Sequence, residues 1–392
     1  MPVRPVGEVV GAPGAERVLL HAEVVYDGIG LPRPDAAVLL QAREGGYWLS
    51  DVRDHAATAR TFPEARAVDG GFAVSPPVVN AHTHLDLSDM AFEASPYAAF
   101  MERVIAHGRA GGRGLAAAER GIAELKRHGV TVVGDIVTDP AVMRRLLEDP
   151  DLTGVAYWEV IGLRDEEADE RFEEARRLVA GFRALERPGG VRVGLSPHTP
   201  HTVAPRLLQR LAAWARVEGL PLAIHVAESP LENDFHLHGR GALAEWLAAF
   251  GASVAPSGVS PVRYLHDLGV LEAAPTLVHM VNVSEEDVRL VARAGSVVVH
   301  CPRSNAALGC GTFPWQLYAK HSVEVAFGTD SRGSSPDLDV TREVMTAAQL
   351  HGAAANPRAL VRAAVKGGHK VLGLTPPQVL RGAHADGLVV WS

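Results

Sequence analysis

Cysteine is almost absent from this chain, and long apolar runs are absent as well. Each of these absences excludes a class of protein. Cys301 and Cys310 are the only cysteines among 392 residues, so a disulfide framework is excluded and a reducing compartment is favoured. No apolar run approaches the roughly 18 residues of a membrane-spanning helix, and the N-terminal sequence lacks the apolar core of a signal peptide. We therefore expect a cytoplasmic protein with no membrane partner.

Basic clusters and phosphate-binding glycine motifs are also missing. The formal net charge is -8 and the Lys and Arg residues are scattered, which argues against nucleic acid as a partner. No Gly-x-Gly-x-x-Gly follows the first strand of the predicted barrel, which counts against a dinucleotide fold. His21-Ala22-Glu23 is not followed by Pro-Cys-x-x-Cys, so a cytidine-deaminase-type zinc site is excluded. A small molecule is the expected partner, and a homodimer is one possible assembly.

The apolar pattern that is present alternates strands with helices. Residues 1–74 contain short β-type runs separated by Gly and Pro, and residues 387–391 have the same character. Between these ends, eight strand-like runs are each followed by a helical stretch, of which residues 97–127 form one. Eight βα units favour a closed (β/α)8 TIM barrel of about 250 residues over an open sheet. We predict an α/β protein with a barrel at residues 75–368 and a β-sandwich domain built from residues 1–74 and 369–392.

Histidines and acids stand at the carboxyl ends of nearly all predicted strands. The first strand ends in His82-Thr83-His84, and residues two apart on a strand point to the same face, so both imidazoles can hold one ion. In a parallel barrel the carboxyl ends of the strands meet at one mouth, where the chemistry is located. Later strands are followed by further side chains of this kind, namely His198, His201, His225, His279, His300 and Asp330.

This set of side chains predicts a catalytic metal ion. A single histidine at a strand end is most often a hydrogen-bonded core residue, but six such strand ends facing one mouth are far less expected by chance. Neutral imidazoles with one carboxylate suit Zn²⁺ or another divalent transition metal and leave room for a water. Glu228 follows His225 by three residues, a position from which it can reach a substrate without binding the ion.

The chain resembles the amidohydrolase superfamily, and within it the metal-dependent deaminase and chlorohydrolase branch. The stretches that carry the resemblance are Asn-Ala-His-Thr-His-Leu-Asp at 80–86, Ser-Pro-His-Thr-Pro at 196–200, His-Val-Ala-Glu-Ser at 225–229, Val-His at 278–279, His-Cys-Pro-Arg-Ser-Asn at 300–305 and Gly-Thr-Asp-Ser at 328–331. They occur in the right order along the whole barrel. The resemblance also implies a β-sandwich built from both termini, which agrees with the apolar pattern.

The resemblance implies one divalent metal ion, Zn²⁺ or Fe²⁺, in a hydrolytic site. By position, the implied ligands are His82, His84, His225 and Asp330. His279 would polarise the hydrolytic water, Glu228 would shuttle its proton, and Asp330 would accept the first proton from it. No lysine stands at the end of a central strand, which argues against the two-metal members of the superfamily.

The substrate implied is an adenine nucleoside. The pattern at residues 82–88 is most similar to aminodeoxyfutalosine deaminases of menaquinone biosynthesis, which convert 6-amino-6-deoxyfutalosine to futalosine and ammonia. The residues expected to contact substrate are His198, Asp86, Arg303 and Asn305. A benzoate carboxylate favours an arginine partner, for which Arg303, Arg332, Arg109 and Arg113 are the candidates.

Three alternatives stay open on the sequence alone. The same deaminase chemistry can act on S-adenosylhomocysteine, methylthioadenosine, adenosine or guanine. A chlorohydrolase or a cyclic-amide hydrolase of the same superfamily is a second alternative. A barrel without catalytic activity is a third, which predicts broken ligand positions, whereas every metal-binding and proton-transfer position here is occupied.

Overall fold

A computed structural model of the protein describes residues 3–391, so residues 1, 2 and 392 of the predicted terminal segments lie outside the described residues. The strands are β1 (Val3–Pro5), β2 (Arg17–Val25), β3 (Arg33–Arg43), β4 (Gly46–Asp54), β5 (Arg66–Asp69), β6 (Ala73–Ser75), β7 (Val79–Thr83), β8 (Val132–Val137), β9 (Thr153–Val160), β10 (Val191–Pro197), β11 (Ala223–Val226), β12 (Thr276–His279), β13 (Val297–His300), β14 (Val325–Phe327) and β15 (Val389–Trp391). The α-helices are α1 (Val6–Val10), α2 (His55–Thr61), α3 (Tyr97–Arg109), α4 (Leu115–Arg127), α5 (Pro140–Glu148), α6 (Ala168–Arg183), α7 (Pro205–Glu218), α8 (Pro230–His238), α9 (Ala242–Ala249), α10 (Pro261–Asp267), α11 (Glu285–Ala294), α12 (Pro302–Ala307), α13 (Trp315–Lys320), α14 (Val340–His351), α15 (Pro357–Arg362) and α16 (Gly368–Val371).

Strands from both ends of the chain share one sheet. β15 pairs antiparallel with β1 on one side and with β6 on the other, and the sheet continues through β2, β3 and β4, with β5 paired to β2. Trp391 is 1% exposed, and its indole Nε1 donates to Ser75 Oγ at 3.0 Å. The two chain ends therefore meet in a seven-stranded sheet, while the division into the three predicted domains stays a prediction.

The central part of the chain forms eight parallel strands in two four-stranded sheets. One sheet has the order β10-β9-β8-β7 and the other the order β11-β12-β13-β14, and every pairing within them is parallel. Each of these strands is followed by at least one helix. The prediction of an α/β fold with eight βα units is confirmed.

Both faces of these strands are apolar, which explains why they form as continuous hydrophobic runs. In β8, Val133 and Val137 pack among the helices, whereas Val132 and Ile136 pack into a separate cluster with residues of the other parallel strands. Strands of a parallel sheet are buried on both faces, so their sequences do not alternate with polar residues. Polar side chains are consequently concentrated at the strand ends.

The two four-stranded sheets approach each other at both of their edges. Asp330 N donates to His82 O at 3.1 Å, and a parallel bridge joins Thr83 to Asp330. At the opposite edges, Leu195 N donates to Pro221 O at 2.8 Å beside a bridge between Leu195 and Leu222. These bonds bring the carboxyl ends of strands from both sheets to the same side of the molecule.

The predicted helical region at residues 97–127 is two helices rather than one. α3 ends at Arg109 and α4 begins at Leu115, and Gly111 and Gly114 between them have φ values of 76° and 127°. Glycine adopts positive φ without steric cost, so the Gly-Gly-Arg-Gly run ends the first helix and lets the chain turn. The break places Arg113 in the wall of the central cavity.

None of the helices within residues 3–391 is both long enough and apolar enough to cross a membrane.

Candidate active site

A cavity of about 300 Å³ opens at the carboxyl ends of the parallel strands. One end is polar and contains most of the histidines and acids that the sequence singled out. The apolar part of the wall is formed by Leu87, Tyr97, Phe100, Met101, Val104, Ile105, Ile161, Leu163, Trp246 and Phe250. The cavity therefore combines a small polar floor with a long apolar wall, as small-molecule sites usually do.

The four predicted metal ligands lie together at the polar end. Asp330 Oδ1 is 3.7 Å from His82 Nε2 and 3.5 Å from His84 Nε2. His225 Nε2 is 3.3 Å from His84 Nε2, and His82 and His225 also lie in one group of ligand atoms that are all within 4.8 Å of one another. Side chains from β7, from the end of β11 and from the loop after β14 thus meet at one point.

Their donor atoms fit a divalent metal ion. A tetrahedral Zn²⁺ site with bonds near 2.1 Å holds its donors roughly 3.4 Å apart, close to the separations seen here. His82 Nε2 is buried and has no hydrogen-bond partner among the described residues, which is costly unless a cation binds it. The residues present therefore fit a metal held by three imidazoles and one carboxylate.

The backbone at this end of the cavity is held in an unusual conformation. Ala227, His279 and Asp330 have φ values of 52°, 73° and 60°, in the left-handed region that residues with a Cβ rarely adopt. Such conformations cost about 1–3 kcal/mol each and tend to occur at functional sites. The backbone is therefore strained at or just after the ends of β11, β12 and β14, where His279 and Asp330 line the cavity.

Hydrogen bonds fix the orientation of two of the predicted ligands. His225 Nδ1 is 2.9 Å from the carbonyl oxygen of His198 and donates to it, which leaves Nε2 free to bind an ion. Asp330 Oδ2 accepts from Ser304 Oγ at 2.6 Å and from Ser334 Oγ at 3.1 Å, so Oδ1 is the oxygen directed at the histidines. These partners hold the ligands in place before any ion binds.

Burial favours the neutral form of two of the imidazoles. It lowers the pKa values of His84 and His225 well below the usual histidine value, and the neighbouring histidines lower them further. Burial also acts to raise the pKa of Asp330, but the surrounding imidazoles outweigh it and hold that pKa well below its usual range. Neutral imidazoles and an ionised carboxylate are the protonation states that bind a divalent metal.

Glu228 is placed beside this cluster without joining the four ligands. Its side chain is 8% exposed, and its Oε1 lies 3.6 Å from His279 Nε2. Burial raises the pKa of Glu228 well above the usual value, and the charges of Asp330 and Glu232 raise it further. A carboxyl group with a raised pKa keeps its proton to higher pH than an ordinary glutamate and is suited to protonate a substrate.

The loop that holds Glu228 is fixed by a carboxylate that the sequence alone did not single out. The Glu232 oxygens accept from the backbone N–H groups of Ala227, Glu228 and Ser229 at 2.8, 2.7 and 3.2 Å. Ser229 and Glu232 form a capping box at the start of α8. The Ser-x-x-Glu spacing at 229–232 is the sequence signal for this arrangement.

His279 is oriented by Asn305 rather than by a carboxylate. Asn305 Nδ2 donates to His279 Nδ1 at 3.0 Å, so in the neutral imidazole the proton is on Nε2, the atom that faces Glu228. Burial lowers the pKa of His279 to about 3. His279 therefore acts as a neutral hydrogen-bond donor toward the cavity.

Of the residues predicted to contact substrate, the structure places some in the cavity lining and others outside it. His198 lines the cavity, with Nδ1 2.8 Å from Thr202 Oγ1. Arg303 is outside the lining and is bound by Asp337 and Glu343 through contacts of 2.8 and 2.6 Å. Asn305 also lies outside the lining, behind His279.

Asp86 lies behind the cavity wall. It is fully buried and accepts from Arg113 Nε at 2.7 Å and from Thr138 Oγ1 at 2.9 Å. Arg113 is the one lysine or arginine in the described lining of the cavity, whereas Arg332 is bound by Glu124 at 2.9 Å. Of the residues in this region, Arg113 and not Asp86 faces the cavity.

His201 and His300 do not join the ligand cluster. His300 stacks on Phe313 with ring centroids 4.1 Å apart, and its Nε2 is 3.3 Å from His351 Nε2. His201 is packed against Phe235, with ring centroids 6.2 Å apart. Both are buried core histidines near the site.

Comparison with known proteins agrees with this geometry. The chain is 45% identical to an aminodeoxyfutalosine deaminase of Deinococcus radiodurans over 374 residues, which cover 93% of this chain and 88% of that protein. It is 32% identical to a 5-methylthioadenosine/S-adenosylhomocysteine deaminase of Natronomonas pharaonis over 280 residues, which cover 69% of this chain and 60% of that one.

A solved structure also has the same fold. Helicobacter pylori aminofutalosine deaminase in complex with methylthio-coformycin superposes with a TM-score of 0.72 at 19% sequence identity, covering 94% of this chain and 90% of that one. Residues 73–391 match the model of the amidohydrolase family. The resemblance inferred from the six sequence stretches is therefore confirmed, and the chain belongs to the amidohydrolase family.

Proposed function

We propose that the protein is a metal-dependent hydrolytic deaminase that converts 6-amino-6-deoxyfutalosine to futalosine and ammonia, a step of menaquinone biosynthesis. The observation that carries this proposal is the meeting of His82, His84, His225, Asp330 and Glu228 at the floor of an apolar-walled cavity. The similarity to the Deinococcus radiodurans enzyme supports the choice of substrate.

The architecture we propose is a single (β/α)8 barrel at residues 75–368, with a β-sandwich formed by residues 1–74 and 369–392. The backbone bonds from Asp330 to His82 and from Leu195 to Pro221 support closure of the two four-stranded sheets into one barrel. The pairing of β15 with β1 and β6 supports a domain made from both termini. The two buried free cysteines fit the proposed cytoplasmic location, and the homodimer stays a prediction.

The metal we propose is one Zn²⁺, with Fe²⁺ as the alternative, bound by His82, His84, His225 and Asp330. A bound divalent ion supplies hydroxide at neutral pH because it lowers the pKa of water toward 7. Three imidazoles and one carboxylate are the donors that both ions accept. The spacing of the donor atoms and the unpartnered Nε2 of His82 support this assignment.

The proton transfers fall to Glu228 and Asp330. Glu228 holds a proton at its carboxyl group and gives it to the ring nitrogen beside the amino-bearing carbon, which makes that carbon open to attack. Asp330 accepts the first proton of the attacking water, and His279 donates a hydrogen bond to that water from Nε2. The C–O bond forms, the amino group takes the proton held by Asp330, and the C–N bond breaks as ammonia leaves. The hydroxyl group on the attacked carbon returns its proton to Glu228 and becomes the carbonyl oxygen of the product.

The apolar wall favours a substrate that carries an apolar group besides its nucleobase. Phe100, Met101, Val104 and Trp246 line this part of the cavity. Burying an aryl ring here gains about 25 cal/mol per Å² of apolar surface removed from water. The benzoate group brings one charge that must stay hydrated or paired, whereas a zwitterionic amino-acid tail brings two. The wall therefore supports aminodeoxyfutalosine over S-adenosylhomocysteine.

Ammonia release tests the proposed function. The metal-loaded protein is incubated separately with aminodeoxyfutalosine, methylthioadenosine, S-adenosylhomocysteine, adenosine and guanine, and kcat/KM is measured for each. We expect the highest kcat/KM for aminodeoxyfutalosine. A higher value for adenosine or S-adenosylhomocysteine would contradict the substrate, and hydrolysis of a cyclic amide with no release of ammonia from any purine would contradict deamination.

A further inference from the structure

One carboxylate in the cavity wall has no assigned role. Glu159 lies next to the last residue of β9, and its side chain is 5% exposed and lines the cavity. Its Oε1 is buried and has no hydrogen-bond partner among residues 3–391. A buried carboxylate oxygen without a donor is costly, so its place in a cavity wall indicates that a ligand supplies the donor.

Asp86, which the sequence favoured as a substrate contact, is absent from the lining of this cavity. Asp86 Oδ2 accepts from both Arg113 and Thr138, and the side chain lies behind the wall. Burial acts to lower the pKa of Arg113, but the charges of Asp86 and Glu159 outweigh it and raise that pKa. Asp86 is therefore a positioning residue for Arg113, and Glu159 is the acid on the cavity side of this group.

The position of Glu159 indicates which part of the substrate it meets. Its Oε1 is 3.9 Å from His198 Nε2, and its carboxylate lies in one group of ligand atoms with His198 and His225, all within 4.8 Å of one another. Phe100, Met101 and Trp246 are among the apolar residues of the wall. A substrate group that meets Glu159 therefore lies beside His198 and the proposed metal ligand His225, next to the part of the cavity that the nucleobase would occupy.

We propose that Glu159 accepts hydrogen bonds from the sugar hydroxyl groups of the nucleoside substrate and thereby selects ribonucleosides over their deoxy analogues. This inference rests on the proposed function. Carboxylates are well suited to accept from ribose hydroxyls, because each oxygen is an acceptor and the bond is charge-assisted. A site built to bond a hydroxyl also rejects an analogue that lacks it, since its own polar group is left unpaired.

The test compares ligands that bind but have no amino group to lose. Equilibrium dialysis on the metal-loaded protein gives Kd for inosine, 2′-deoxyinosine and 3′-deoxyinosine. For the unmodified protein we expect at least one deoxy analogue to bind about 10- to 100-fold more weakly than inosine, as for loss of a bond to a charged acceptor. In Glu159→Ala we expect the ratio of the deoxy-analogue Kd to the inosine Kd to fall to about 2 or less. In Glu159→Gln, whose amide oxygen still accepts, the ratio falls only in part.

Controls separate binding from folding. Glu174→Gln changes an acid whose side chain is 49% exposed and should keep the unmodified ratio. Metal content and the urea unfolding midpoint show whether each variant is folded. If Glu159→Ala is unfolded, the Kd ratio of Glu159→Gln decides the test. Equal Kd values for inosine and both deoxy analogues in the unmodified protein, or an unchanged ratio in the Glu159 variants, would overturn the proposal.

The same samples distinguish this inference from the proposed function. If the protein releases ammonia from adenine nucleosides but binds inosine and its deoxy analogues equally well, only the proposed role of Glu159 is refuted. Failure to release ammonia from any adenine nucleoside refutes the proposed function, whatever the binding ratio.

Discussion

At the scale of single residues, the ligand assignment makes a direct prediction. Replacing His82 or Asp330 by alanine removes a donor, and we expect metal affinity to fall by more than about 100-fold, beyond the 10- to 100-fold typical of outer hydrogen-bond partners. Elemental analysis after dialysis checks this. His266→Ala, at a histidine whose side chain is 45% exposed, is the control and should keep its metal. Full metal occupancy in His82→Ala or Asp330→Ala would show that the ligands lie elsewhere.

The metal cluster could be predicted from sequence, whereas the substrate contacts could not. The ligands occupy strand ends, and parallel topology alone brings strand ends together. Glu159 lines the cavity and Asp86 does not, and Arg113, in the loop after α3, is the hydrogen-bond donor that holds Asp86. A signal for Glu159 does exist, since it is the acid in the apolar run 154–160.

At the scale of secondary-structure elements, the approach of β14 to β7 depends on Gly328. A Cβ at this position would lie 2.7 Å from His82 Cβ and 2.8 Å from His82 O, so the backbone of β7 would have to move. We expect Gly328→Ala to lower the free energy of unfolding by about 2–3 kcal/mol, in the range for overpacked cores, and to weaken metal binding.

Urea unfolding and elemental analysis check the Gly328 prediction. The matched control is Gly181→Ala in α6, where a Cβ meets no atom within 4 Å. Alanine stabilises a helix interior by about 0.5–1 kcal/mol relative to glycine, so this control should be neutral or slightly stabilising. If both variants had the same stability and metal content, close packing at Gly328 would not matter.

The order and type of the elements followed from sequence more closely than their ends and breaks. The strands were predictable because each is an apolar run bounded by turn residues. The division of residues 97–127 into α3 and α4 was missed, although the Gly-Gly-Arg-Gly run marks it. Helix α8 has no clear period of polar and apolar residues, and the capping box at Ser229 is the sequence signal for its start.

At the scale of the whole molecule, stability should depend on pH through buried histidines. Burial lowers the pKa of His236 from 6.5 to about 4. Between these pH values the unfolded chain binds a proton at His236 and the folded chain does not. The free energy of unfolding therefore falls as pH falls, by up to about 1.4 kcal/mol per pH unit from this residue.

The prediction concerns the difference between His236→Gln and the unmodified protein. Urea unfolding between pH 4 and pH 8 should show a shallower loss of stability on the acid side for His236→Gln, because its side chain does not titrate. Above about pH 7.5, where an imidazole is neutral in both states, the difference should be constant. Parallel pH profiles at all pH values would show that His236 titrates equally in the folded and unfolded chains.

The central claim is that Glu228 carries the proton while four other residues hold the metal. The most direct measurement is the metal content and the ammonia-release rate of Glu228→Gln, since glutamine preserves the shape of the side chain but cannot donate a carboxyl proton. We predict full metal occupancy, KM within a few-fold of the unmodified enzyme, and kcat lower by about 10²- to 10⁴-fold. Loss of the metal, or turnover close to that of the unmodified enzyme, would contradict this account.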